Sequence, residues 1–450
     1  MVQNPREEMN NKNMNGFQWF VIFICILLNV IDGFDVLVMA FTAASVSNEW
    51  GLSGAELGAL LSAGLFGMGA GSLFLAPWAD KIGRRPLILL CLLISGLSMV
   101  AASFAQTAMQ LGLMRFITGI GIGGILASSN VIASEYASSR WRSLAVSLQC
   151  TGYAIGATVG GIIAIALISS FGWRSVFLTG GLTTLFMFII SYVWLPESLD
   201  YLLAKQPKNA LNRINVLTQK INITRLTQLP IISQTAELKK SGISRLFSPR
   251  LAFQTICIWL SFFFVMFGFY FVMSWTPKIL SANGMTTEQG VTAGVLISAG
   301  GMFGAALLGF ISSRVRIFYV QAAFLALTAV LIWLFVGSTA SLTIAFILSV
   351  LLGMMANGCV AGLYAMSPSI YEADVRATGV GYAIGFGRIG GILSPLVAGA
   401  FLDSGISSLT LYGYYGGAFI LAIITVLAIS KIQNRNTIKV SYPNSIEKMV

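Results

Sequence analysis

About twelve apolar runs, each long enough to cross a bilayer, leave this chain little choice of fold. They centre near Val30, Phe66, Ser95, Gly119, Gly156, Phe186, Phe264, Gly300, Leu325, Gly353, Gly390 and Ile420. Roughly twenty apolar residues in helical form span the hydrocarbon core. The expected fold class is therefore an all-α membrane protein of about twelve transmembrane helices. Composition closes off a soluble alternative: 56% of the 450 residues are hydrophobic, 10% are charged, and the mean hydropathy is +0.82. An ordinary soluble core cannot hide that much apolar surface.

The net charge of +11 would suggest nucleic acid in a soluble chain, but here its placement is topological. Lys81, Arg84 and Arg85 follow the second run, Arg140 and Arg142 the fourth, Arg314 and Arg316 the eighth, Arg376 the tenth, and Lys431 and Arg435 the last, whereas the opposite loops offer little beyond Arg174 and Lys278. By the positive-inside rule both termini and the basic loops are cytoplasmic, which makes this a multi-pass inner-membrane protein. Cys25, Cys91, Cys150, Cys257 and Cys359 each lie in an apolar run without paired spacing. They read as packing residues rather than a disulfide framework, and no metal site is expected. The first run is too long for a signal peptide and follows Glu7 and Glu8, so it reads as a retained helix.

A basic connection from about Pro196 to Arg250 divides the chain, giving an expected amino-terminal six-helix bundle (1–195), a cytoplasmic linker (196–250) and a carboxy-terminal six-helix bundle with a tail (251–450). Anionic lipid headgroups suit the linker better than nucleic acid, since it shows neither a recognisable fold pattern nor aromatic interleaving. The halves repeat each other. Gly152-Tyr153-Ala154-Ile155-Gly156 recurs as Gly381-Tyr382-Ala383-Ile384-Gly385, and Ser62-Ala63-Gly64 recurs as Ser298-Ala299-Gly300. Duplicated six-helix bundles are a transporter architecture whose site lies near the bilayer midplane; chance matching of glycine-rich helices is the competing explanation.

The first run, from about Gln18 to Ser45, carries Asp32-Gly33-Phe34-Asp35. An ionised Asp at mid-helix costs about 2.5–3.5 kcal/mol on insertion scales, so two imply a lining of protein or water and a function. At i, i+3 they share one helix face. The chain has no His, so any side chain exchanging protons near neutral pH is a carboxylate tuned by burial or a neighbour, and Asp32 and Asp35 lead. The plainer alternative is a helix end where both acids reach water. Arg115, Gly119 and Gly123 fall at i, i+4, i+8 of the fourth run, at a depth that permits contact with these acids, unless Arg115 reaches the outer interface instead. Arg388 stands near mid-bilayer, flanked by Gly387 and Gly390. An anionic substrate, gripped by two parallel hydrogen bonds, is preferred there over a structural partner.

Asp80-Lys81-Ile82-Gly83-Arg84-Arg85-Pro86 follows the second run and reads as a charge latch between helix ends, with Asp80 its only acid; plain positive-inside signalling is the alternative. The equivalent loop of the second half has Ser313 in place of an acid. Aromatics crowd the seventh run from Trp259 to Trp275, mostly for packing and interfacial anchoring. No P-loop, metal cluster or nucleophile elbow occurs, so ATP-driven work, enzymatic chemistry and a resident cofactor have no residues to stand on.

Taken together, these motifs resemble the major facilitator superfamily, and within it the aromatic acid:proton symporters. The loop motif Asp80–Arg85 matches with Ala76 at a usual Gly; Asp32–Asp35, Arg115–Gly124, Ser134-Glu135-Tyr136, Leu195-Pro196-Glu197-Ser198, Arg376–Gly381 and Arg388-Ile389-Gly390 match more specifically. The resemblance implies two pseudo-symmetric bundles that import a small aromatic carboxylate, or a related acid such as muconate or nicotinate, together with protons by alternating access. It implies Asp32, Asp35, Arg115 and Glu135 as proton-coupling positions, and Arg388, Asp35, Tyr153, Tyr270 and Tyr382 as substrate-binding ones. Asp80, Arg84, Arg85, Arg142 and Arg376 would gate, in a protein working as a monomer among membrane lipids. Drug:proton antiport is the first alternative, weakened by Ala157 where the antiporter motif has Pro; a non-transporting sensor is the second.

Overall fold

A computed structural model of the chain describes residues 5–75, 78–229, 243–249, 251–337, 341–371 and 375–441, apart from a few side chains within them, Asp80 and Cys150 included. Among these residues the regular elements are helices. In chain order they are α1 (Pro5–Asn11), α2 (Gly16–Trp50), α3 (Gly54–Phe74), α4 (Ala79–Ile82), α5 (Arg84–Ser103), α6 (Ala108–Tyr136), α7 (Arg142–Phe171), α8 (Trp173–Trp194), α9 (Leu199–Lys205), α10 (Ala210–Ile221), α11 (Ala252–Ala282), α12 (Thr287–Ser312), α13 (Ile317–Gly337), α14 (Leu342–Met366), α15 (Arg376–Asp403) and α16 (Ser408–Ser441). Twelve of them are long and apolar enough to cross a membrane, and each expected centre falls inside one.

Local chemistry sets the boundaries. Asn15 and Gln18 form a capping box at the start of α2, Ser53 and Glu56 another at the start of α3, and each satisfies helix N–H groups that have no partner within the helix. Between them α2 stops at Gly51, whose φ of 62° is left-handed, a conformation glycine adopts without penalty. Chain contacts divide the molecule into one unit of Met1–Glu237 with Thr276–Ser298 and another of Leu238–Trp275 with Ala299–Val450.

Lipid provides little apolar drive between helices, so close backbone approach at small residues holds them together. In the first unit a Cβ at Gly67 or Gly71 of α3 would overlap the main-chain carbonyls of Phe116 or Ile120 in α6, and one at Gly119 that of Gly64. The second unit repeats the device: Gly300 and Gly304 of α12 press on the carbonyls of Val350 and Met354 in α14. Likewise α13 packs on α14 and α16 as α5 packs on α6 and α8. The pseudo-symmetry thus extends from the repeated tripeptide to the helix pairs that contain it.

The linker holds more structure than its polarity suggests. Helices α9 and α10 bury Leu199, Leu202, Ile214 and Leu217 in a small core of their own. The aromatics of α11 pack as expected: Phe267 and Phe271 stack on Tyr415 of α16 at 4.6 and 3.9 Å between ring centroids. Cys25, Cys91, Cys257 and Cys359 are free and buried.

Candidate functional site

In the first unit one face of α2 carries Asn29, Asp32 and Asp35 at successive three-residue steps, and all three are buried, the acids to 1% exposure. Gly33 lets the neighbouring helix reach them, because a Cβ there would overlap the Tyr153 carbonyl of α7. Arg115 enters from α6 through a slot left by Gly64 of α3, whose missing Cβ would stand 2.9 Å from the guanidinium. The repeated Ser-Ala-Gly tripeptide of α3 therefore makes room for a charge as well as for the α6 backbone, whereas Gly300 in that of α12 meets the Val350 main chain.

Arg115 is fully inside, which excludes its reaching the interface. Its Nη2 donates to the main-chain carbonyl of Asp35 at 2.8 Å, and the Asp35 carboxylate lies within electrostatic reach. The Nε and Nη1 of Arg115, both oxygens of Asp32 and Oδ1 of Asp35 have no hydrogen-bond partner among the described residues. Buried polar groups ordinarily find partners. Two carboxyl groups and a guanidinium buried together can exchange a protonated arrangement for a charge-paired one. The alternative in which both acids simply reach water does not hold.

Glu135 is not part of this cluster. It stands twenty residues beyond Arg115 on the same helix, about 30 Å along the axis. There its carboxylate accepts a short hydrogen bond from Ser198, the N-cap of α9, and its carbonyl accepts one from Arg6 of α1. Arg6 also lies 3.8 Å from Asp200. The resemblance gives Glu135 a role with Asp32, Asp35 and Arg115, and the geometry places it apart from them.

The expected latch has a different acid at its centre. The Asp80 side chain lies outside the described residues, but Glu197, buried to 5%, places Oε1 at 2.9 and 3.1 Å from the main-chain N–H groups of Arg84 and Arg85. It thereby caps α5, where an anion is favoured by the unsatisfied N–H groups and the helix dipole. Asp80 is thus not the sole acid of the loop. The Arg84 guanidinium lies 5.7 Å over the Tyr201 ring, and Arg85 donates to the Tyr192 carbonyl at 2.6 Å. Gly83 makes the turn with φ of 105°, and a Cβ there would collide with Glu197. Arg142 donates to Asn10 at 3.4 Å, which ties the start of α7 to α1.

In the second unit Arg388 Nη1 lies 3.4 Å from the Tyr270 hydroxyl of α11, so those two expected residues meet. Tyr382 does not join them. It stacks on Trp259 at 6.0 Å, on a face of α15 that it shares with Phe386, and is 48% exposed. Tyr153 belongs to the first unit, where its carbonyl faces Gly33. Arg376 donates from Nε to the Tyr371 carbonyl at 3.3 Å. Sequence reasoning missed Asn29 and Gln149 as members of the buried polar cluster, and Arg6 as a partner of Glu135. The signal for Asn29 was present in its three-residue step from Asp32.

Comparison with known proteins agrees with this architecture. The Major Facilitator Superfamily matches residues 22–395. The chain is 32% identical over 449 residues to the gallate transporter of Pseudomonas putida, covering 97% of each, and 30% identical over 400 residues to the 4-hydroxybenzoate transporter PcaK of the same organism, covering 88% of this chain and 89% of that one. Among solved structures the xylose transporter XylE from E. coli, in a partially occluded inward open conformation, superposes with a TM-score of 0.72 at 16% identity, covering 92% of this chain and 98% of that one. With twelve apolar helices, a duplicated glycine packing scheme and a family match across most of its length, this chain belongs to the Major Facilitator Superfamily, as a multi-pass membrane transporter rather than an enzyme.

Proposed function

We propose that the protein is a symporter of the inner membrane that imports a small organic anion, most simply an aromatic carboxylate of the benzoate or hydroxybenzoate type, together with protons by alternating access. The observation that carries this reading is the buried acid pair Asp32 and Asp35 beside Arg115, in which both Asp32 oxygens and Oδ1 of Asp35 have no hydrogen-bond partner among the described residues. The relatives named for gallate and 4-hydroxybenzoate support the substrate class. In this reading Asp32, Asp35 and Arg115 couple proton to substrate. Arg388 grips the substrate carboxylate as a planar fork, with the Tyr270 hydroxyl as a second donor. Glu135 joins the coupling from the far end of α6, while Asp80, Arg84, Arg85 and Arg142 gate in the first unit and Arg376 in the second. The chain works as a monomer of two bundles, 1–195 and 251–450, joined by the linker 196–250, with both termini cytoplasmic.

The test is uptake into sealed vesicles containing a pH-sensitive dye, with benzoate, hydroxybenzoates, muconate and nicotinate in competition. Substrate-dependent acidification of the lumen, lost in Asp32→Asn while exchange of internal for external substrate persists, is expected, because exchange needs no net change in protonation. Substrate uptake with no accompanying proton movement would remove the coupling.

A further inference from the structure

The polar face of α2 continues past Asp32 toward the N-terminal end of the helix. Asn29 Nδ2 donates to the Gln149 main-chain carbonyl of α7 at 2.6 Å, and Gln149 Nε2 donates to Ser129 Oγ of α6 at 2.9 Å. Asn29 is 4% exposed and Gln149 is fully buried. Three helices therefore meet through amides and hydroxyls in a region where apolar side chains would pack more simply.

The bonds formed leave acceptors over. Asn29 Oδ1, Gln149 Oε1 and the neighbouring Ser128 Oγ have no hydrogen-bond partner among the described residues, and neither do the Asp32 oxygens. Nearer the N-terminus of α2, Ile22, Ala137 and Ala145 pack together, and beyond them the buried Gln18 donates from Nε2 to the Tyr136 carbonyl at 2.8 Å. Buried polar groups thus run from Asp32 through Asn29 to Gln149 and Ser129. Their unmet atoms are mainly oxygen acceptors, which suits a donor-rich guest such as water or hydronium.

We infer that Asn29, Gln149 and Ser129 form the inner leg of the proton route, holding water through which the proton of Asp32 leaves toward the N-terminal end of α2. This rests on the reading of Asp32 as a coupling acid. In the step, the O–H bond of the Asp32 carboxyl breaks and its electron pair stays on the carboxylate. The proton bonds to the held water, and the two amide carbonyl oxygens accept hydrogen bonds from the resulting hydronium. Asn29 and Gln149 are positioning residues, since they bond to the water and carry no proton themselves.

Gln149→Met and Asn29→Leu keep side-chain size while removing the acceptors. In proteoliposomes of the full chain we expect substrate-coupled proton uptake to slow at least tenfold and its solvent deuterium isotope effect to rise, with counterflow exchange changed less than twofold and the melting temperature retained. Gln149→Glu, which restores an acceptor, should recover the rate. Ser129→Ala removes a single hydroxyl and gives the same pattern more weakly, which keeps the test open if a larger change prevents folding. Equal losses in uptake and exchange with an unchanged isotope effect would show mere helix-to-helix glue and overturn the proposal. Normal coupling in Gln149→Met with lost coupling in Asp32→Asn sinks the relay alone, whereas normal coupling in Asp32→Asn sinks the symport reading and the relay with it.

Discussion

The pentapeptide Gly-Tyr-Ala-Ile-Gly does opposite things in α7 and α15. In α7, Gly152 and Gly156 lie against the backbone of α2, and a Cβ at Gly156 would overlap the Val30 carbonyl. In α15, the matching Gly381 and Gly385 have nothing within 4 Å of an added Cβ, and contact with α11 has moved along the helix to Gly387, Gly390 and Gly391, which meet Phe262, Phe263 and Tyr270. The same offset pairs Val159 of α7 with Arg388 of α15. The first unit thus uses its glycines to bury α2 and its acids, and carries its cation on α6. The second keeps the glycine face of α15 open and puts a cation on it. Duplication preserved the local sequence, and the partner helix decided its use: α2 presses its Val30 carbonyl on Gly156 of the α7 pentapeptide, whereas α11 reaches α15 only beyond the pentapeptide, with the Phe262 and Tyr270 side chains and the Phe263 carbonyl.

That contrast can be broken most decisively at the glycines. Gly156→Ala should cost about 2–3 kcal/mol or more, because neither backbone can retreat without opening the bundle. Gly385→Ala should stay within about 0.5 kcal/mol or gain slightly from helix propensity. Thermal melting of the two purified variants compares them directly, and equal losses would erase the distinction.

A smaller difference separates the two loops that follow α3 and α12. Replacing the buried cap of α5 by Glu197→Gln should cost ~2 kcal/mol through lost charge at the helix N-terminus. Ser313→Ala, in the matching loop after α12, should change stability by less than about 0.5 kcal/mol. A Glu197→Gln protein as stable as the parent would show that the cap holds by hydrogen bonding alone.

Next comes the pair Arg388 and Val159. If the planar fork grips a carboxylate, Arg388→Lys should weaken binding of the acid by about tenfold, near 1.4 kcal/mol, and binding of its uncharged amide much less. Val159→Ala should alter neither. Titration of acid and amide against well-folded protein decides this, and equal weakening of the two ligands would make Arg388 a brace.

The smallest effect belongs to α1 in the first unit, where Lys12 and Thr224 hold the Glu8 carboxyl below the usual carboxylate range. A lowered folded value means that the contribution is complete above the unfolded value and is lost as pH falls through the folded one. Glu8→Gln should therefore destabilise by about 0.5 kcal/mol or less at neutral pH, as for an exposed pair, and the gap should close under acid. A gap that persists there would trace to the Thr224 hydrogen bonds rather than to charge.

Much of the architecture was determined by sequence alone, because its causes are local. A run of twenty apolar residues must satisfy its own backbone whatever surrounds it, so the twelve helices and the duplicated halves followed from hydropathy and short repeats. The buried acids were legible for the same reason, since a carboxylate in an apolar run is costly wherever the helix packs. What the tertiary structure decided are pairings across large sequence separations, which no local rule constrains. Glu197 meets Arg84 and Arg85 from 113 and 112 residues away. Glu135 lies at the wrong end of its helix to join Arg115, and the Asp35 group that Arg115 bonds is a main-chain carbonyl, which every residue carries and no pattern marks. Nor could two identical pentapeptides reveal that one is packed and the other open, because a glycine records only that a side chain is missing, and the neighbour determines what fills the space.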